Sequence, residues 1–160
     1  KIPSLILTHY QLDVALSRNL LTILALSGTI AGFIFGLLLK KIGDLTLPMM
    51  LLSMAIGSLI FIFFKQIVLY YVASVLIGVS FVGTMSSIFY FISRIFEKDE
   101  INLTTSIVLV GGNIGVILTP VIMTKFPEWM NWNPFIAPFY MASAFMGIVA
   151  VISGWYLLKK

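Results

Sequence analysis

Residues 28–44 read GTIAGFIFGLLLKKIGD and join an uncharged, glycine-bearing segment to a charged turn. Glycine recurs at every fourth position, at Gly28, Gly32 and Gly36. Inside a bilayer this spacing lets a second helix approach closely, because packing rather than water exclusion drives helix association there. The charges of Lys40–Asp44 then indicate where the helix meets water. The stretch is therefore typical of a packed membrane helix that ends in a short turn.

The composition places the whole chain in the same class. Of its 160 residues, 60% are hydrophobic and 10% are charged, and the mean hydropathy is +1.09. Soluble domains average about 45–50% apolar and about 25% charged residues. A soluble domain of this length has too small an interior to bury so much apolar surface. The sequence therefore predicts an all-α integral membrane protein.

Charge and cysteine usage exclude several other functions. The formal net charge is +4, but the basic residues occur singly or in pairs between apolar runs, so they form no face for nucleic acid. The chain has no cysteine and one histidine, which excludes a disulfide framework and thiolate chemistry. We therefore expect no nucleic-acid partner, no metal site and no cofactor.

Charge-free runs long enough to cross a bilayer as helices predict five complete transmembrane helices. Residues 1–8 are too short to span and predict the end of a truncated sixth helix. The whole of residues 1–160 then forms one transmembrane domain. The five predicted spans are Leu20–Leu39, Leu45–Phe64, Ile67–Ser93, Ile101–Thr124 and Phe135–Leu158.

Lysine and arginine in the short loops predict the orientation, because cytoplasmic loops carry an excess of them. One side carries three of these residues: Arg18, Lys65 and Lys125. The other side carries six and is therefore predicted to be cytoplasmic: Lys40, Lys41, Arg94, Lys98, Lys159 and Lys160. Tryptophans near the loops, Trp129 and Trp132 among them, fit the aromatic belts of a bilayer.

The acidic residues all lie between the predicted spans, whereas a proton or ion relay usually places a charge at mid-membrane. No paired carboxylates, Ser/His/Asp arrangement or HExxH motif is present, so the sequence does not support an enzyme. This segment therefore lacks a carboxylate of its own for proton coupling.

Uncharged polar residues supply the candidate site. On the third predicted span, Ser80, Thr84 and Ser87 share one helix face, and Tyr90 lies on the stripe beside it. This face either packs against another helix or lines a polar cavity. Both interpretations stay open.

The fourth predicted span carries an amide, Asn113, in an uncharged helix. Gly111 and Gly115 permit close approach or local bending, and Pro120 removes one backbone hydrogen bond and permits a kink. A moving helix that contacts solute and a static, glycine-packed helix are both compatible with this pattern.

The chain resembles one six-helix half of the major facilitator superfamily. The sharpest local match is the family loop G-x-x-x-D-[RK]-x-G-[RK], in which Gly36, Lys41 and Gly43 match. Lys40 occupies the acidic position and Asp44 a basic one. The loop resembles the weaker copy that the family carries in its C-terminal half. Two further segments resemble helices of that half: VASVLIGVSFVGTMSSIFYFISRIF and GGNIGVILTP.

The resemblance implies helices eight to twelve of such a transporter, preceded by the end of helix seven. It also implies three partners: a small-molecule solute, the lipid bilayer and a missing N-terminal six-helix half. The two halves would rock about a central site near the bilayer midplane. With no acid at mid-membrane, uniport and coupling through the missing half both stay open. Residues 36, 40, 41, 43 and 44 would form a cytoplasmic gating turn, and the location implied is a plasma membrane.

We therefore expect a secondary active transporter of a small polar or amphipathic solute, with contacts from Ser80, Thr84, Ser87, Tyr90 and Asn113. The alternative is a non-transporting membrane subunit, serving in assembly or sensing, that binds a partner helix through its glycine-rich span. Gly28, Gly32, Gly111, Gly115 and Pro120 are the positions expected to shape helix packing.

Overall fold

A computed structural model describes residues 1–159, and every regular element within them is helical. Lys160, one of the six basic residues predicted to be cytoplasmic, lies outside the described residues. Two one-turn elements, a π-helical turn at Leu5–His9 and a 3-10 turn at Gly43–Leu45, join on to the α-helices. The α-helices are α1 (Ile2–Ser4), α2 (Val14–Ile42), α3 (Thr46–Phe63), α4 (Ile67–Ile95), α5 (Ile101–Trp129) and α6 (Ala137–Leu158).

Four helical stretches in residues 1–159 are long and apolar enough to cross a membrane. The first, Val14–Phe63, is 50 residues long and contains α2, the 3-10 turn and α3. The other three are α4, α5 and α6. The chain is therefore a multi-pass, all-helical membrane protein.

Local signals explain how α2 begins and ends. A carboxylate oxygen of Asp13 accepts a hydrogen bond from the backbone N–H of Ala15 at 3.1 Å and so caps the first turn. The helix ends at Gly43, whose φ of +63° and ψ of −140° favour a residue without a β-carbon. The chain therefore turns sharply at this glycine.

Contacts on α4 show that α2 and α3 run in opposite directions. Along α2, Gly28 lies against Gly78 and Val82, and Gly32 lies farther on against Val82, so α2 runs parallel to α4. Along α3, Met50 lies against Gly83, whereas the later Gly57 lies against the earlier part of α4. Helix α3 is thus antiparallel to α4, and α4 lies between α2 and α3.

The bundle has two distinct ends. The basic end holds the turn Gly43–Leu45, the last turns of α4 and α6, and the lysines Lys40 and Lys41. The opposite end holds the junction of α3 and α4 and the start of α6, where Phe61 and Phe139 have ring centroids 5.6 Å apart.

An aromatic cluster holds the N-terminal segment against the opposite end. The ring of Tyr70 is fully buried and stacks on Phe61 and Tyr10, with centroid distances of 5.4 and 5.8 Å. Burial raises the pKa of the Tyr10 phenol, which donates a hydrogen bond to the carbonyl of Phe61 at 2.9 Å. Leu5 and Ile6 fill the remaining space and are fully buried.

Helix α5 lies at the edge of the bundle. Of residues 101–129, only Pro127 is buried. A β-carbon added at Gly111 or Gly115 would meet no described atom within 4 Å, and α5 continues as a helix through Pro120. The helix also runs past the predicted end at Thr124 to Trp129, where Lys125 and Glu128 form an exposed ion pair at 3.5 Å.

The tightest helix contact in the described residues lies between α2 and α4. A β-carbon at Gly78 would overlap the carbonyl oxygen of Leu24 and the hydroxyl of Ser27. Gly28 takes part in the same contact, since a β-carbon there would lie 3.0 Å from the Val82 side chain. At Gly36 the corresponding space is open among residues 1–159.

We predict that Gly78→Ala destabilises the protein by about 1–3 kcal/mol, because the added methyl group has no room and the two helices must separate. The measurement is thermal unfolding of the purified full-length protein in detergent. Gly147→Ala in α6 is the matched control, since it adds the same methyl group to open space. Equal unfolding temperatures for the two variants would contradict the packing described.

Candidate functional site

Two hydroxyls of the predicted polar face are used within the bundle. Ser80 is fully buried, and its hydroxyl donates to the carbonyl of Met50 on α3 at 2.5 Å. Ser87 is also buried, and its hydroxyl donates to the carbonyl of Gly83 on its own helix at 2.8 Å. The Ser80 bond links α4 to α3, while the Ser87 bond stays within one helix turn.

Thr84 lies between these serines and differs from them. Its hydroxyl oxygen is buried and has no hydrogen-bond partner among the described residues. A hydroxyl without a partner is costly in an apolar environment, so such a group favours an approaching polar atom. Thr84 is therefore the member of the face whose hydrogen-bonding capacity remains open.

Tyr90 belongs to a charged cluster at the basic end. The Nη1 atom of Arg94 contacts both carboxylate oxygens of Asp44, at 2.5 and 2.7 Å. The same nitrogen lies 3.2 Å from the Tyr90 hydroxyl, which in turn lies 3.4 Å from the Asp44 carboxylate. A single cation thus links the predicted gating turn to the last turns of α4.

The conformation of Gly43 makes this ion pair possible. Its positive φ ends α2 and directs the next residue, Asp44, toward α4. The hydroxyl of Thr46 donates to the carbonyl of Gly43 at 2.6 Å and fixes the turn from its other side. Lys40 and Lys41 stay exposed on the last turn of α2, where positive charge complements the helix dipole.

The Asp44–Arg94 pair was not predicted from the sequence, in which Arg94 served only to indicate orientation. The two residues are 50 positions apart, and no local spacing connects them. The available signal was their placement, since both lie at helix ends on the same predicted side of the membrane. Opposite charges on adjacent short loops at one boundary are candidates for pairing.

Asn113 lies apart from the rest of the predicted site. It is exposed on α5, and every residue of this helix from 109 to 122 is exposed as well. The middle of α5 therefore does not pack against the polar face of α4. The structure therefore brings together Asp44, Tyr90 and Arg94, and it keeps Asn113 separate from Ser80, Thr84 and Ser87.

A small cavity adjoins the charged cluster. It has a volume of about 330 Å³ and lies among α3, α4 and α6, with Asp44 and Arg94 on one wall and Ser153 and Tyr156 on another. Within residues 1–159, no group of three or more histidine or acidic side chains converges to hold a metal ion.

Comparison with known proteins matches the chain to one family. The family model for the Major Facilitator Superfamily matches residues 2–160. No curated protein and no solved structure matches the chain.

We predict that reversing one charge of the pair, in Asp44→Arg or Arg94→Asp, lowers solute uptake by the full-length protein. The turn loses its tie to α4 and gains a like-charge repulsion in its place. The double variant, Asp44→Arg with Arg94→Asp, restores the pair and should recover most of the uptake. Uptake is measured in cells at matched surface levels.

Lys98→Asp is the matched control for these variants, because it reverses an exposed charge on the following loop, away from Asp44. It should leave uptake close to that of the unmodified protein. A double variant no better than either single variant would contradict a functional role for the pair.

Proposed function

The chain belongs to the major facilitator superfamily, whose members are membrane transporters and not enzymes, and on this premise we propose secondary active transport of a small polar or amphipathic solute. The observation that carries the proposal is the match over residues 2–160 to that family. We also propose a plasma-membrane location, in keeping with a solute carrier whose six basic loop residues favour one side.

We infer that the first apolar stretch crosses the membrane twice, which gives five complete spans. The support is the reversal at Gly43, since α2 runs parallel to α4 and α3 runs antiparallel to it. Residues 2–9 add the end of a sixth span, which packs into the aromatic cluster at the opposite end. This arrangement corresponds to one half of a two-half bundle.

We propose that a further six-helix half covers the two exposed helices. Apolar side chains of α2 form an exposed stripe at i, i+4, i+7 and i+11, made of Leu26, Ile30, Phe33 and Leu37. On α5, the glycines at 111 and 115 leave open space for the close approach of another helix. Lipid can cover apolar side chains as well as a helix can, so the main support for a further half is the open space at the two glycines of α5.

We propose that the basic end gates access to the solute. In alternating access, one half rocks against the other around a site near the midplane. Asp44 and Arg94 tie the turn to α4, so a movement of the turn is transmitted to the helix that bears Thr84. Gly36, Lys40, Lys41 and Gly43 complete this gating turn, with the two lysines free to meet groups on the other half.

We propose that Thr84 and Asn113 make the main polar contacts with the solute. Thr84 offers a buried hydroxyl that has no hydrogen-bond partner within residues 1–159, and Asn113 offers an exposed amide on a helix with an open face. Ser80 and Ser87 then support the position of α4, and Tyr90 acts at the gate. Movement of α5 toward α4 would bring the two contact groups to the same solute.

The alternative, a subunit that binds a partner helix through Gly28, Gly32 and Gly36, has less support. Gly28 is already in contact with Gly78 and Val82 of the same chain. Only the later part of this stripe is open to a partner.

We predict that Asn113→Leu in the full-length protein weakens solute uptake by about two-fold to ten-fold, the range expected for the loss of one hydrogen bond. Membrane insertion should be unchanged, since leucine is well tolerated in a membrane helix. The measurement is the concentration dependence of uptake, with surface level determined in parallel.

Asn102→Leu is the matched control, because Asn102 is an exposed amide in the first turn of the same helix. It should transport normally. Unchanged uptake kinetics in the Asn113 variant would remove this residue from the solute site.

A further inference from the structure

A large cavity lies at the opposite end of the bundle, away from the gating turn and from Thr84. Its volume is about 880 Å³, within the range of about 300–1,000 Å³ typical of small-molecule sites. One wall comes from α3 and α6, and the other comes from the end of α5 and the loop that follows it.

Aromatic side chains form both walls of this cavity. Phe63 and Tyr140 meet edge to face on one wall, with centroids 6.1 Å apart. Phe126 and Trp132 meet in the same way on the other, with centroids 6.3 Å apart. Farther in, the lining continues along Ala144 of α6. The interior is thus built to contact a flexible apolar group.

The helices on the α3–α6 wall explain why this interior suits hydrocarbon. Neither Thr46–Phe63 nor Ala137–Leu158 contains a charged residue. This wall carries two lining hydroxyls: that of Ser143 donates to the carbonyl of Tyr140 at 2.9 Å, and the other is the phenol of Tyr140 itself. The rest of this wall is apolar and suits a hydrocarbon group.

The mouth of the cavity has a different character. Asn131 and Asn133 are exposed and line it, and they lie in the loop that carries Trp132 at the membrane boundary. Lys65, two residues beyond the lining Phe63, is exposed at the same end, and its ammonium nitrogen lies 5.9 Å from the centroid of the Tyr10 ring. Lys125 adjoins the lining Phe126 but is paired with Glu128. Amide donors and a lysine that forms no salt bridge within residues 1–159 suit a phosphate.

We propose that this cavity binds a membrane glycerophospholipid, with one acyl chain between α3 and α6 and the phosphate at Lys65, Asn131 and Asn133. The chemistry of the site matches this occupant at both ends: hydrocarbon inside, and an anionic, hydrogen-bond-accepting group at the boundary. The proposal does not rest on the transport activity.

The location separates this site from the proposed solute contacts. Phe126 lies 13 residues beyond Asn113 on α5, which corresponds to about 20 Å along the helix axis. Thr84 lies on α4, which contributes no residue to the cavity lining. A bound lipid would instead fill the gap between the end of α5 and the α3–α6 pair and so fix the position of α5 at this boundary.

Photolabelling of the full-length protein tests the proposal. The protein is placed in phosphatidylcholine nanodiscs that contain a small fraction of phosphatidylcholine with a diazirine near the middle of one acyl chain. After irradiation, trypsin releases the peptide 126–159, which contains the loop and all of α6. Fragmentation of this peptide by mass spectrometry locates the adducts.

We expect adducts to concentrate on residues 136–144 rather than on residues 148–152, although Ile148, Val151 and Ile152 are the more exposed side chains. Ala144→Phe fills the cavity and should lower these adducts several-fold. Ile148→Phe adds an aromatic ring one turn away, outside the lining, and should leave them unchanged. An even spread of adducts along α6 in the unmodified protein would overturn the proposal, whatever the variants do.

A photoreactive fatty acid with the same labelled chain tests recognition of the phosphate. At the same fraction in the nanodisc, the phospholipid should label residues 136–144 several-fold more than the fatty acid does. Lys65→Gln should reduce labelling by the phospholipid. Equal labelling by the two probes, or no effect of Lys65→Gln, would show a hydrocarbon pocket that does not recognise the phosphate and would overturn the assignment.

Discussion

The close approach of α2 and α4 is the contact on which the rest of the bundle depends. In a bilayer, lipid tails solvate apolar side chains as well as a neighbouring helix does, so association relies on close packing and hydrogen bonds. At Gly78, the backbone of α4 lies directly against the Leu24 carbonyl and Ser27 of α2. Helix α4 is fixed on its other side by the Ser80 bond to α3.

This central position of α4 links the two ends of the molecule mechanically. At the opposite end, Tyr70 holds the aromatic cluster in which the N-terminal segment is packed. At the basic end, Arg94 holds the turn that joins α2 to α3. A helix that is packed along its length moves as one body, so a displacement of the turn reaches the middle of α4, where Thr84 lies. The edge helix α5 has no such packing along its length, since only Pro127 of residues 101–129 is buried.

The sequence predicted the features that depend on neighbouring residues in the chain. Apolar runs and loop charges predicted an all-helical membrane protein, and the glycine spacing identified Gly28 as a packing position. The features that depend on helix pairing were not predicted. Gly78 and Gly83 are close-contact positions only because Leu24 and Met50 face them. The spacing of Ser80, Thr84 and Ser87 predicts a shared helix face, but it does not show that the hydroxyl of Ser80 donates to the carbonyl of Met50 on α3.

The ion pair at the basic end involves a residue that departs from the family loop pattern, Asp44. The family loop has an acid at the position of Lys40 and a base at the position of Asp44, and this chain reverses both. An acid at residue 40 would lie on the exposed last turn of α2, one turn before the glycine break. Asp44 instead follows that break, where the positive φ of Gly43 aims it at the end of α4. Because Arg94 supplies the opposite charge there, the loop forms an ion pair with the end of α4, although its acid lies four residues later than in the family pattern. A loop with reversed charges can therefore still form an ion pair with α4, provided that the residue at the end of α4 has the opposite charge.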